Sequence, residues 1–147
     1  MYLLAFKLHA AMRDDSEVMN IFEKIYENQH VAGDEILECF GILANNRMTE
    51  VAIKIGQHLL RACDKLVVDL DQQKKFILKF LFMFDSYITK KHEAKVEETL
   101  IALVETLGRI VSLEFLKHCS LSEVKVLFYS IWNIAYEAKH CELYKEC

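Results

Sequence analysis

Apolar residues return along the first half of the chain at three- and four-residue intervals, and short polar clusters interrupt them. That spacing predicts amphipathic helices. A first helix is expected over Tyr2–Met12, with Leu4, Leu8 and Ala11 in phase. Asp14-Asp15-Ser16 opens a second, which runs to about Gln29, and Asp14 stands three residues before Glu17 as a capping box requires. Its inner face is Val18, Phe22, Ile25 and Tyr26, and Val31-Ala32-Gly33 closes it, with Gly33 as the terminating residue. A third helix follows over Asp34–Ala44, with Ile36, Leu37, Phe40 and Leu43 inward. The turn Asn45-Asn46-Arg47 leads to a fourth over Thr49–Ala62, with Val51, Ala52, Ile55 and Leu59 inward. The later pattern predicts longer helices over Gln72–Lys91, Glu93–Ser112 and Ser122–His140, with a short helical turn at Leu113–His118.

One phrase recurs. Ser16-Glu17-Val18, Thr49-Glu50-Val51 and Ser122-Glu123-Val124 each sit where a helix is expected to begin. A hydroxyl there accepts a backbone hydrogen bond, a carboxylate favours the positive end of the helix dipole, and the valine starts the buried face. Without a base beside it such a hydroxyl is no nucleophile, so the phrase is read as punctuation, with the hydroxyl as the cap. The step from Ser16 to Thr49 equals the steps from Leu4 to Leu37 and from Ala11 to Ala44. Two helical hairpins at that separation fall just short of the tetratricopeptide period of roughly 34 residues. The expected fold is all-α: antiparallel helical hairpins stacked as a tetratricopeptide-like α-solenoid segment of about seven helices. It is taken as a single domain over residues 1–147. The apolar first helix has no polar outer face, and solenoid ends carry polar capping repeats. A segment of a longer array is therefore expected, with a short natural protein as the competing reading.

Composition agrees. Proline is absent and glycine occurs four times in 147 residues, too few for the turns of a β or α/β domain. Eighteen basic against 22 acidic residues leave a net charge of −4, the wrong sign for direct nucleic-acid binding. The five cysteines are odd in number and form no CxxC pair, which fits reduced thiols used as small apolar residues inside a cell. The apolar run Tyr2–Phe6 ends at Lys7 with no basic residue before it, so no signal peptide is expected. No stretch reaches the roughly 18 uncharged apolar residues of a membrane span.

Candidate chemistry is sparse. His118-Cys119 and His140-Cys141 hold zinc-ligand types, but adjacent helical residues point about 100° apart and do not converge. His92-Glu93 lacks the second histidine of a zincin helix. The acidic pairs Asp14-Asp15, Asp69 with Asp71, and Glu97-Glu98 fall at turns or on a solvated face. No glycine-rich phosphate loop or nucleophile elbow occurs. No catalytic residue, cofactor or metal is expected. The segment KKFILKFLFMFDSYITKK, Lys74–Lys91, is apolar nearly all round. Such a helix is buried between neighbours or docks a partner. Acidic residues nearby offset its lysines as a nucleic-acid site. The candidate partner-binding residues are Phe80, Phe84, Tyr87 and Trp132.

The segment YLLAFKLHAAMRDDSEVMNIFEKIYENQ resembles a degenerate tetratricopeptide repeat. Tyr2 stands for the large aromatic, Val18 for the small residue of the second helix and Phe22 for the later aromatic, while Phe6 replaces the usual glycine. The last helix, EVKVLFYSIWNIAYEAKHCELY, places Phe128-Tyr129 before Ile131-Trp132-Asn133-Ile134-Ala135. It is similar to the aromatic, Trp-Asn and alanine stretch of the meiotic tetratricopeptide scaffolds, the sporulation-type and testis-expressed protein eleven type of the crossover-promoting group. The resemblance implies a nuclear, chromosome-associated, non-enzymatic scaffold. It would bind meiotic chromosome proteins during crossover formation and synaptonemal complex assembly. The alternatives are a generic intracellular, cytoplasmic tetratricopeptide-like adaptor and an all-α small-ligand-binding domain. On the residues alone, Trp132 reads as a large buried anchor.

Overall fold

The computed structural model of the chain describes residues 1–28, 32–62, 65, 69–90, 104–110 and 114–140. Every element among them is helical. α1 is Tyr2–Met12, α2 Asp15–Glu27, α3 Gly33–Asn45, α4 Thr49–Arg61 and α5 Leu70–Lys90. Residues 104–110 are helical and form α6, a 3₁₀ turn spans Glu114–His118, and α7 is Leu121–His140. The remainder of the expected sixth helix, with His92-Glu93 and Glu97-Glu98, lies outside the described residues, as do Cys63, Cys141 and Cys147. Contacts divide the chain into two units, Met1–Phe76 and Ile77–Cys147.

In the first unit α1 packs on α2 and α3 on α4, while α1 also meets α3 and α2 meets α4. The two hairpins turn in the same way. After α1, Arg13 takes left-handed backbone (φ 57°), its N–H donates to Ala10 O, and Asp14 N–H donates to His9 O. After α3, Arg47 takes φ 59°, its N–H donates to Ala44 O, and Met48 N–H donates to Leu43 O. One constant step relates the two turns: it carries His9 to Leu43, Ala10 to Ala44, Arg13 to Arg47 and Asp14 to Met48. The core repeats at the same interval, since Phe6 and Phe40, Val18 and Ala52, Ile21 and Ile55, and Ile25 and Leu59 are all buried.

This structural step is one residue longer than the interval of the repeated phrase. The caps explain the difference. Asp14 is the N-cap of α2, and its carboxylate accepts from Glu17 N–H at 3.2 Å; Glu17 turns instead to the Asn20 side chain. α4 is capped by the backbone of Met48, whose side chain is buried, with no side-chain hydrogen bond. α7 carries a reciprocal capping box, in which Glu123 N–H donates to Ser120 Oγ and Ser120 N–H to Glu123 Oε2. Ser16, Thr49 and Ser122 therefore lie inside the first turns of their helices and do not cap them. The glutamate of each phrase sits in the first turn as its charge favours.

Three further expectations are corrected. α1 buries Phe6 and Ala10, while Leu4, Leu8 and Ala11 are exposed. Residues two apart on a helix point about 200° apart, so burying the phenylalanine turns the leucines outward. Gly33 does not close α2: it is the first residue of α3, and no described glycine has positive φ. In α5, Phe76, Ile77, Phe80, Leu81, Met83 and Phe84 are buried, but Phe82 is 67% exposed on the face that carries Lys75 and Lys79. The predicted inner faces of α3 and α4 are buried at every named position. Phe40 meets Phe76 edge to face at 5.3 Å between ring centres, which ties the start of α5 to α3.

Cys39 is fully buried in α3, and its Sγ donates to Glu35 O at 3.6 Å. Burial, with the Glu38 charge beside it, pushes its thiol up from 9.0 to about 12. It is a neutral, space-filling group at physiological pH.

Three outcomes are expected in urea unfolding. Arg13→Gly and Arg47→Gly each stabilise by about 0.5–1 kcal/mol, because relief of left-handed strain exceeds the added backbone entropy of glycine; loss of stability at either site would show that its turn is not left-handed. Asp14→Ala costs about 1 kcal/mol and Ser16→Ala less than about 0.5; the reverse order would restore Ser16 as the cap. For Cys39, the unfolded thiol ionises near pH 9 and the folded one near 12. Its contribution is whole below the first value and is lost as pH rises through the second. The stability advantage of wild type over Cys39→Ala should shrink between pH 8 and pH 10, and a constant advantage contradicts the assignment.

Candidate protein-binding surfaces

Two surfaces stand out, one in each unit. The first is a groove of about 380 Å3 between α2 and α4, lined by Met19, Phe22, Glu23, Tyr26, Glu27, Lys54, Ile55 and His58. Helix geometry assembles it. Met19, Phe22, Glu23, Tyr26 and Glu27 stand at positions i, i+3, i+4, i+7 and i+8 and so share one side of α2. Lys54 and His58 stand four apart on α4. The floor is apolar, since Phe22 and Ile55 are buried. Tyr26 and His58 form the wall, with ring centres 4.5 Å apart and planes at 83°. Each ring also lies 6.0 Å from Phe22. Glu23, Glu27 and Lys54 are exposed at the rim.

The second surface is the outer side of α7. Leu127 and Ile134 are buried, seven apart and so on one face. Away from them Phe128, Tyr129 and Trp132 are 70%, 70% and 71% exposed, and Tyr136 is 52% exposed. Positions 129, 132 and 136 repeat at helical spacing and form a row. The buried-anchor reading of Trp132 is therefore overturned, because the inner face of α7 is centred on the aliphatic residues and the indole lies outside it.

The four residues singled out from sequence separate. Phe80 and Phe84 are fully buried, with rings 6.0 Å apart in α5, and offer no surface to a partner. Tyr87 is half-buried, and Trp132 alone of the four is exposed. The α2–α4 groove is not found by sequence reasoning. Its signal is present: Met19, Glu23 and Glu27 lie on the same side of α2 as Phe22 and Tyr26, at a site where a purely inward face would lack charges.

The other polar groupings of the described residues are few. Among the described residues no three His, Cys, Asp or Glu side chains gather to hold a metal ion. His9 Nδ1 lies 3.5 Å from Asp14 Oδ2 but out of hydrogen-bond alignment. The other Asp14 oxygen caps α2, which gives the carboxylate a structural task. Lys7 and Glu38 pair at 2.9 Å between α1 and α3, an exposed contact worth well under about 1 kcal/mol. No described helix is long and apolar enough to cross a membrane. Comparison with protein-family models, with curated proteins and with solved structures finds no match to this chain.

Proposed function

We propose that the chain is a non-enzymatic protein-interaction scaffold built from tetratricopeptide-like hairpins. The single observation that carries this reading is the row of exposed aromatic residues on α7, Tyr129, Trp132 and Tyr136, with Phe128 exposed beside it. Large aromatic side chains held in water by a rigid helix contribute little to their own fold and are the residue types that dominate protein interfaces. Support for the repeat architecture comes from the two hairpins of the first unit. Their turns and core positions recur at the step from Arg13 to Arg47, which is the roughly 34 residues of a tetratricopeptide unit. Stacked hairpins of this kind present extended faces suited to holding other polypeptides.

Within that reading we place the scaffold among the meiotic crossover-promoting proteins, acting in the nucleus on other chromosome proteins. The Trp132-Asn133 segment supports this, because Phe128, Trp132 and Asn133 of the stretch that resembles that family face solvent, while its Ile134 is buried and its Ala135 half-buried. A family feature carried on an exposed face fits a role in recognition rather than in packing. The small-ligand alternative has one observation in its favour, the volume of the α2–α4 groove, which falls within the range of ligand pockets.

The test compares wild type with a Tyr129→Ala/Trp132→Ala double variant. Both are used to retain proteins from extracts of meiotic and of proliferating cells, and both are melted. Wild type is expected to retain chromosome-axis or crossover proteins from the meiotic extract alone. The variant should lose them, with a stability change below about 1 kcal/mol, as for exposed positions. A variant that retains the same proteins would remove α7 as the binding surface, and retention of the same set from both extracts would remove the meiotic assignment.

A further inference from the structure

The groove between α2 and α4 carries a charge pattern that the scaffold reading leaves unused. Its floor is Phe22 and Ile55, both buried, and its aromatic wall is Tyr26 against His58. Two carboxylates, Glu23 and Glu27, stand one turn apart along its α2 edge, and one ammonium, Lys54, stands on α4. None of these three side chains makes an ion pair or hydrogen bond with another described residue. The rim therefore holds a net charge of −1 over an apolar floor. Unpaired carboxylates beside partly exposed aromatic and aliphatic surface complement a side chain with an apolar stem and a cationic head, which is the chemistry of arginine and lysine. Tyr26 adds an aromatic ring, to which such a head is attracted.

We propose that this groove receives a basic segment of a partner protein. The aliphatic stem of an arginine or lysine rests on Met19 and Tyr26 above the floor of Phe22 and Ile55, and its charged head is held by Glu23 and Glu27. The inference deepens the scaffold reading by stating what one partner surface must be, and it concerns other residues than the α7 row. Nucleic acid is disfavoured at the same rim by its sign. Lys54 opposes the incoming charge, so its removal should strengthen binding while removal of either carboxylate weakens it. A groove that merely accepted any apolar chain would respond to neither.

The experiment uses the full chain and three probes, read by fluorescence anisotropy or calorimetry at low and at physiological salt. The first probe is a labelled peptide of alternating arginine and leucine, the second its counterpart with glutamate for arginine, and the third free arginine amide. The basic peptide is expected to bind and the acidic one not. Glu23→Gln/Glu27→Gln should weaken the basic peptide about tenfold, through loss of two exposed charge contacts. Lys54→Gln should tighten it about threefold, and salt should weaken it in wild type. Melting curves of both variants should match wild type, since all three positions are exposed. Equal binding of the acidic peptide, or indifference to the Glu23/Glu27 and Lys54 changes, would overturn the proposal. Arginine amide that binds as tightly as the peptide would overturn it in favour of a small-molecule site. Tyr129→Ala/Trp132→Ala should leave peptide binding unchanged. Absent peptide binding with intact α7-dependent capture therefore defeats the groove alone, and the opposite result defeats the α7 reading alone.

Discussion

The reversal of the chain after α1 and again after α3 is the constraint on which the first unit rests. Each reversal places an arginine in left-handed backbone and lets the following N–H reach back to a carbonyl in the last turn of the helix. An L-residue pays steric strain of about 1–2 kcal/mol for that conformation. It persists because the packing beyond it depends on the angle it sets. Phe6 and Phe40 occupy equivalent buried places before the two turns, and Val18 and Ala52 occupy equivalent places after them. With the turns identical, α1 meets α3 and α2 meets α4, so one local geometry used twice generates both the hairpins and their stacking. The groove between α2 and α4 is a product of the same repetition: two second helices brought side by side leave their shared edge open where His58 and Tyr26 meet.

How much of this was legible in the sequence depends on whether polar residues mark the outside of a helix. In α3 and α4 they do. Glu35, Glu38, Lys54 and His58 are exposed, and every apolar position assigned inward is buried. In α1 they do not. Leu4, Leu8, Phe6 and Ala10 supply apolar residues on opposite sides, and periodicity cannot choose between two apolar faces. Tertiary packing chose the face with the larger ring. The same ambiguity governed α7, where Phe128, Tyr129 and Trp132 invite burial by residue type but Leu127 and Ile134 set the inner face. The caps failed for a different reason. Serine and threonine favour both the cap and the first turn, so a recurring Ser/Thr-Glu-Val locates a helix start to within one or two residues and no better. That slip of a single position made the repeat look one residue shorter than the step between the two turns.

The groove illustrates what single-helix reasoning leaves out. Each helix read alone explains its glutamates and its lysine as solvated polar residues. Only the approach of α2 to α4 gives Glu23, Glu27 and Lys54 a common floor in Phe22 and Ile55. A pocket of this kind is a property of a pair of helices, whereas hydrophobic periodicity is a property of one.

On the proposed reading, folding and recognition also draw on different residues. Phe6, Phe40, Phe80 and Phe84 are buried at or near zero exposure, and removing a ring of that kind costs about 3–5 kcal/mol. Such positions cannot vary freely, whatever a partner requires. Trp132, Tyr129, Glu23 and Glu27 stand outside both cores. Their substitution leaves the hairpins nearly as stable as before, so these faces can change their chemistry without endangering the fold. The proposed scaffold role requires this separation. Large aromatics kept in water are otherwise a liability, since an exposed apolar patch invites unwanted association. A partner that covers the α7 row would turn that liability into binding energy, by taking from water the rings that the chain's own fold leaves there.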